Sequence, residues 1–82
     1  MKRINEIIAL TAHEYGLTYE DILSRRRTKT WAEARLVAMY LCRRFTNHSL
    51  IEIAEAFNRE SHDIIKYAHK RVTHVLEGDH NN

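Results

Sequence analysis

Hydrophobic residues recur at helical spacing in five segments of this chain, with polar residues between them. The first segment has the apolar positions Ile4, Ile7, Ile8, Thr11, Ala12 and Tyr15. The third and longest has Trp31, Ala34, Val37, Ala38, Leu41 and Phe45. The fifth has Ile64, Ile65, Ala68, Val72, Val75 and Leu76. Gly16 and Gly78 follow the first and last segments, so each predicts a helix end, and the apolar positions predict the buried faces.

Short polar residues predict where the helices begin. In a capping box, a Ser or Thr and the acid three residues later each accept a hydrogen bond from the other's backbone amide. Three such pairs are present: Thr18 with Asp21, Thr30 with Glu33, and Ser49 with Glu52. Ser61 is expected to cap the fifth helix, and residues 79–82 are expected to fray.

The composition indicates an all-α fold and a single domain over residues 1–82. The chain has 82 residues, no proline and two glycines, which is typical of helices joined by short turns. A short turn at residues 58–60 separates the last two helices. We therefore expect a small helical cluster that ends in a helix-turn-helix.

Several protein classes are excluded. Cys42 is the only cysteine, which excludes an intrachain disulfide and a four-cysteine zinc site and favours a reducing, cytoplasmic setting. Asn5 and Glu6 make the N-terminal segment too polar for a signal peptide, and no segment reaches the roughly 18 apolar residues of a membrane span. The chain has no Gly-rich phosphate loop. Its start at Met1 suggests a complete short protein, but an excised domain can start in the same way.

Positive charge is concentrated in the middle of the chain. Residues 1–24 carry two basic and four acidic side chains, residues 25–44 carry seven and one, and residues 45–82 carry four and six. A local excess of this size favours binding to a polyanion such as nucleic acid. The alternative is a solvated face whose charges pair with the flanking acids.

One long motif crosses the turn between the third and fourth helices. It consists of Arg35, Met39, Tyr40 and Leu41, then Thr46-Asn47-His48-Ser49-Leu50 with Glu52 and Ile53, then Ala56, Phe57, His62 and Ala68. Over roughly residues 18–76 the chain resembles the C-terminal DNA-binding domain of the bacterial replication initiator DnaA. The resemblance implies a helix-turn-helix related to that of the Trp repressor. It also implies sequence-specific binding to short duplex sites at a replication origin.

The resemblance further implies a set of DNA-contacting residues. In the family the last helix enters the major groove, and an arginine of the preceding basic loop enters the minor groove. The basic run here is Arg25, Arg26, Arg27 and Lys29, with Arg27 at the minor-groove position. The positions that match phosphate ligands are Arg35, Arg43, Thr46, Asn47, His48, Ser49, Leu50 and Ile51. The last helix presents Ser61, His62, Asp63 and Lys66.

The chain departs from the family in the segment that reads bases. The family carries Gly-Gly-Arg-Asp-His-Thr-Thr where this chain has Asn58-Arg59-Glu60-Ser61-His62-Asp63-Ile64. Threonine methyls contact thymine methyls and aspartate accepts from cytosine, so these replacements predict loss of the family's usual site. Glu60 and Asp63 also bring negative charge close to phosphates.

Some of these residues also have a structural interpretation. Arg35 either contacts a phosphate or pairs with Glu33, and Asn47 and His48 either contact a phosphate or satisfy the turn backbone. The histidine spacing on the last helix does not suit a shared metal ion, so no metal or cofactor is expected. The carboxylate pairs lie on helix surfaces and imply no catalytic cleft, so no enzyme activity is expected.

Two functions remain open. The first is binding of double-stranded DNA with an altered base specificity. The second is an interaction module that kept the fold and lost sequence-specific reading. Its partner would be a protein bound on the last helix or an anionic membrane surface at the basic residues.

Overall fold

The computed structural model describes residues 3–78, which form five helices. These are α1 Ile4–Glu14, α2 Tyr19–Leu23, α3 Lys29–Phe45, α4 Leu50–Ala56 and α5 Asp63–Gly78. Residues 3–78 contain no strand, and the all-α prediction is confirmed. The expected fraying of residues 79–82 lies outside the described part of the chain. None of the helices in this part is long and apolar enough to cross a membrane.

Helix α3 is the central helix of the fold. It packs most extensively against α5 and also contacts α1, α2 and α4. Its buried apolar residues are Ala34, Ala38, Met39 and Cys42, and the two small alanines let neighbouring helices approach closely. The core is completed by Ile7, Ile8, Ala12, Ile22, Ile53, Ala54, Phe57, Ile65 and Ala68. Because all five helices and the residue after α4 contribute to one core, the last two helices have a fixed position relative to the rest.

Two of the three predicted capping boxes are confirmed. The Thr18 hydroxyl accepts from the Asp21 amide at 3.1 Å, and the Asp21 carboxylate accepts from the Thr18 amide at 2.9 Å. The same pair of bonds joins Ser49 and Glu52, at 3.1 and 2.8 Å. The Ser61 hydroxyl accepts from the amide of the first residue of α5 at 3.2 Å.

The predicted box at Thr30 is wrong, because α3 begins at Lys29, two residues before the start that a cap at Thr30 requires. Thr28 precedes the helix, and its side chain makes no capping hydrogen bond. Its carbonyl accepts from the Ala32 amide at 2.8 Å, which closes the first turn of the helix.

The apolar pattern overestimates burial at two helix ends. Phe45, the last residue of α3, is 55% exposed. Val75 and Leu76 in the last part of α5 are 53% and 58% exposed. The last fully buried residue of α5 is Ala68, so the helix continues beyond the core that it helps to build.

Helices α4 and α5 and the turn between them form the predicted helix-turn-helix. Phe57 follows α4 and is fully buried, which anchors the turn to the core. Asn58 has φ 58°, in the left-handed region that asparagine tolerates better than most residues. The Arg59 amide then donates to the Ala54 carbonyl at 2.9 Å. These contacts fix the direction in which the chain enters α5.

Candidate nucleic-acid interface

The loop between α2 and α3 presents three consecutive exposed arginines. The Arg25 Nη2 donates to the Asn58 carbonyl at 3.0 Å. The Arg26 guanidinium lies over the Trp31 ring, 5.2 Å from its centroid, at a distance suited to a cation–π interaction. Within residues 3–78, Arg27 has no hydrogen-bond or ion-pair partner. We call residues 25–27 the basic loop, whose backbone is held while its charge remains exposed.

Arg35 of α3 stabilises the position of the basic loop through hydrogen bonds from the buried side. It is only 8% exposed, its Nε donates to the Ile22 carbonyl at 2.8 Å, and its Nη2 donates to the Arg26 carbonyl at 3.1 Å. Burial lowers the pKa of Arg35, and the nearby Arg59 lowers it further. This placement gives Arg35 a structural role, and its contact with a phosphate stays a prediction. Within residues 3–78, Arg35 also forms no ion pair with Glu33, and its Nε and Nη2 donate to backbone carbonyls instead.

A second arginine joins the loop to the turn of the helix-turn-helix. The Arg59 Nη2 donates to the Ser24 carbonyl at 3.1 Å, while Arg25 donates in the opposite direction to Asn58. We call these two bonds the loop–turn clasp. Burial and the neighbouring Arg25 lower the pKa of Arg59. The clasp fixes the separation between the basic loop and the start of α5.

The turn between α3 and α4 offers a second set of exposed polar groups. The Thr46 hydroxyl donates to the Cys42 carbonyl at 2.7 Å and accepts from the His48 amide at 3.3 Å. Thr46 is 8% exposed and its hydroxyl shapes the turn, so the expected phosphate contact of this residue stays a prediction. Asn47, His48 and Ser49 are exposed, and Ile51 behind them is 58% exposed.

The predicted interface residues fall into separate groups. Arg43 is exposed near the end of α3, beside Lys66 of α5. Lys29 lies elsewhere, in a groove between α3 and α5 that Tyr15, Val75 and Leu76 also line. At the start of α5, Ser61 and Asp63 are exposed and His62 is half-buried. The sequence pattern missed the clasp residue Arg59 and the exposed Arg44.

Within the described residues, no three His, Cys, Asp or Glu side chains are grouped so that they could hold a metal ion.

We expect Ser49→Ala to lower the free energy of unfolding by about 1 kcal/mol, because α4 loses its N-terminal cap. The Ser49 amide, together with the nearby His48, holds the pKa of Glu52 below its ordinary value. A carboxyl whose pKa is lower in the folded state stabilises above its unfolded pKa, and that stabilisation is lost as pH falls through the folded pKa. Urea unfolding at neutral pH and at a series of acidic pH values measures both effects.

The matched controls for this prediction lie on the same helix. Glu52→Gln should reduce the loss of stability that occurs as the pH falls below the ordinary pKa of a glutamate carboxyl. Glu55→Gln, which changes an exposed acid on α4, should retain it. Equal acid sensitivity of the two variants would show that the capping box contributes nothing to the pH dependence.

Comparison with known proteins finds one matching family and several similar proteins. The family described as the bacterial dnaA protein helix-turn-helix matches residues 4–72. The chromosomal replication initiator protein DnaA of Aquifex aeolicus (strain VF5) is 44% identical over 77 residues, which cover 94% of this chain and 19% of that protein. The proteins of the same name from Clavibacter sepedonicus and Leifsonia xyli subsp. xyli are 39% and 38% identical over 72 residues, covering 88% of this chain and 15% of each. The chain thus spans less than a fifth of the length of these relatives.

Proposed function

The chain belongs to the bacterial DnaA helix-turn-helix family, and we propose that it binds duplex DNA as a single module, with α5 in the major groove. What supports this is the loop–turn clasp, which ties the exposed arginines of the basic loop to the turn that begins α5. A recognition helix needs positive charge fixed beside it, because phosphate contacts set its register on the duplex. Arg27, whose charge has no partner within residues 3–78, is then the side chain available for the adjacent minor groove.

The same proposal assigns the α3–α4 turn to the DNA backbone. Arg43, Asn47 and His48 are exposed and would contact phosphates, with residues 49–51 at the start of α4 beside them. Short polar side chains in such turns fix a protein's position on the duplex without reading its sequence.

We propose that base specificity differs from that of the family. The support is the sequence of the segment that begins α5. Ser61 and Asp63 differ from the family's reading residues at these positions, whereas His62 is retained. Asp63 is exposed and can accept a hydrogen bond from a cytosine amine.

The process that we propose is initiation of chromosome replication, which the names of the relatives indicate. The module would act without catalysis and without a cofactor, in the cytoplasm. It would supply the DNA-binding step alone.

The test is binding of the wild-type chain to a pool of random duplexes of about 20 base pairs, roughly two helical turns. Affinity should fall steeply between about 50 and 200 mM salt, and Arg27→Gln should reduce the slope of log K against log[salt] by about 0.9. Arg71→Gln removes an exposed charge on the groove side of α5 and should leave the slope unchanged. If the wild-type chain retains no duplex at about 50 mM salt, where phosphate-driven binding is strong, the proposal is wrong.

One observation favours a protein partner as the second candidate function. Tyr67, Val75 and Leu76 are 52%, 53% and 58% exposed and line the groove between α3 and α5. Exposed apolar residues gathered in one groove are typical of an interaction surface. This function would gain support if duplex binding were absent and if the wild-type chain bound a protein that a Tyr67→Ser variant does not bind.

A further inference from the structure

A second basic surface lies between the end of α3 and the middle of α5. It is an open cleft lined by Arg43, Lys66, His69, Lys70, Thr73 and His74, which we call the basic cleft. The five residues from α5 follow the spacing of one helix face, three or four positions apart. None of the lining residues is acidic.

The charges in the basic cleft have no internal counterion. Lys66 and Lys70 are four residues apart on one helix, an arrangement in which like charges destabilise the helix. Arg43 adds a third cation from α3. Within residues 3–78, none of the three has an acid within ion-pair distance. An anion bound in the cleft would remove this repulsion.

His69 lines the basic cleft and has an unsatisfied ring nitrogen. Its Nδ1 is buried and has no hydrogen-bond partner within the described residues. The ring lies 5.4 Å from the Tyr40 ring, tilted by 53°, which restricts its orientation. A buried polar nitrogen without a partner is costly, so a ligand oxygen in the cleft would favour a rotation of the ring that brings Nδ1 to it. The adjacent Thr73 offers a hydroxyl to the same ligand.

The position along α5 identifies which phosphate would reach the cleft. Lys66 and Lys70 are three and seven residues beyond Asp63, so they lie about 4.5 and 10.5 Å along the helix axis. The major groove is about 12 Å wide, so when the start of α5 enters it, these lysines lie at its rim, where the backbone phosphates are.

We propose that the basic cleft binds a phosphate group of the duplex backbone at the rim of the major groove. The proposal rests on the proposed DNA-binding function and deepens it. Arg43 supplies a planar guanidinium fork, whereas Lys66 and Lys70 supply point charges. These contacts are independent of base sequence, so they strengthen binding without setting the site. They also set cations close to the acidic start of α5.

Two neighbouring residues on α5 provide a matched test. Lys70 lines the basic cleft, and Arg71 lines the apolar groove on the other side of the helix. Lys70→Gln should reduce the slope of log K against log[salt] on a mixed-sequence duplex by about 0.9, whereas Arg71→Gln should leave it unchanged. Circular dichroism of each full-length variant checks that the helices are retained. Equal slopes for the two variants would overturn the backbone-phosphate assignment.

A second arm separates DNA phosphate from free phosphate. Inorganic phosphate is titrated into the wild-type chain at constant ionic strength, and the amide shifts of Lys66, His69 and Thr73 are followed by NMR. Saturable shifts that Lys70→Gln abolishes, together with equal duplex slopes, would identify free phosphate as the occupant. Absence of both effects would reject a phosphate site. If the wild-type chain binds no duplex, the proposed function fails. This titration then decides whether the basic cleft binds free phosphate.

Discussion

Arg35→Met is expected to lower the free energy of unfolding by about 2–4 kcal/mol, because two hydrogen bonds from a charged donor are lost in a buried position. The substitution would leave the Ile22 and Arg26 carbonyls without the guanidinium that they now share. Methionine keeps the length and much of the volume of the side chain, so the effect comes mainly from the lost bonds. A domain of this size is marginally stable, so the variant would lose a large part of its total stability.

Urea unfolding without DNA measures this effect. Arg35→Lys keeps the charge but not the planar fork, and it should fall between the wild type and the methionine variant. A phosphate ligand would behave in the opposite way, with little change in stability and a reduced salt dependence of DNA binding. A stability loss of under about 0.5 kcal/mol, the usual range for surface residues, would show that the two bonds of Arg35 contribute little to the fold.

The helix starts that the sequence predicts correctly are those with a local cause. Thr18 and Ser49 each bond to an acid three residues away, so the whole capping box is contained in four residues. The start of α3 has no such local cause. Thr28 precedes the helix without a side-chain cap, and the local pattern at Thr30 gives the wrong boundary.

The candidate site is less predictable because a residue type does not reveal where a side chain points. Arg35 and Thr46 match positions of phosphate ligands in the family motif, yet both bond to backbone carbonyls and are largely buried. Arg59 donates to a carbonyl 35 residues away, and no spacing rule along the chain links those two positions. Position in the sequence therefore does not separate an arginine that supports the fold from one that faces solvent.

The basic cleft is only partly predictable from the sequence. The helical spacing from Lys66 to His74 is visible in the sequence and predicts one polar face on α5. Arg43 comes from another helix, and only the antiparallel packing of α3 on α5 brings it to that face. The same packing explains why Val75 and Leu76, at the other end of α5, reach a groove instead of the core.

The double substitution Glu60→Gln with Asp63→Asn is expected to raise affinity for random duplex DNA about tenfold or more. Both side chains are exposed at the start of α5, where the proposed docking brings them close to phosphates. One carboxylate about 7 Å from a phosphate is repelled by about 0.6 kcal/mol in water and about 2.4 kcal/mol at an effective dielectric constant of 20. A change of about 1.4 kcal/mol corresponds to a factor of ten in affinity.

Fluorescence anisotropy on two DNA pools separates repulsion from base reading. On random duplexes the double variant should bind more tightly than the wild type. On the duplex selected by the wild type the preference over random DNA should shrink, because Asp63 can no longer accept from cytosine as a carboxylate. The control Glu14→Gln with Glu20→Gln removes two exposed acids from α1 and α2 and should change neither value by a comparable factor.

The possible outcomes assign different roles to the acidic start of α5. Tighter binding with a reduced preference means that Glu60 and Asp63 set specificity at the cost of affinity, as expected for a helix whose reading residues have changed. Tighter binding with an unchanged preference would mean that Glu60 and Asp63 only repel phosphates. His62 or the basic loop would then read the bases. Unchanged binding to both pools would mean that the start of α5 does not meet DNA, which contradicts the proposed docking and favours a protein partner on this helix.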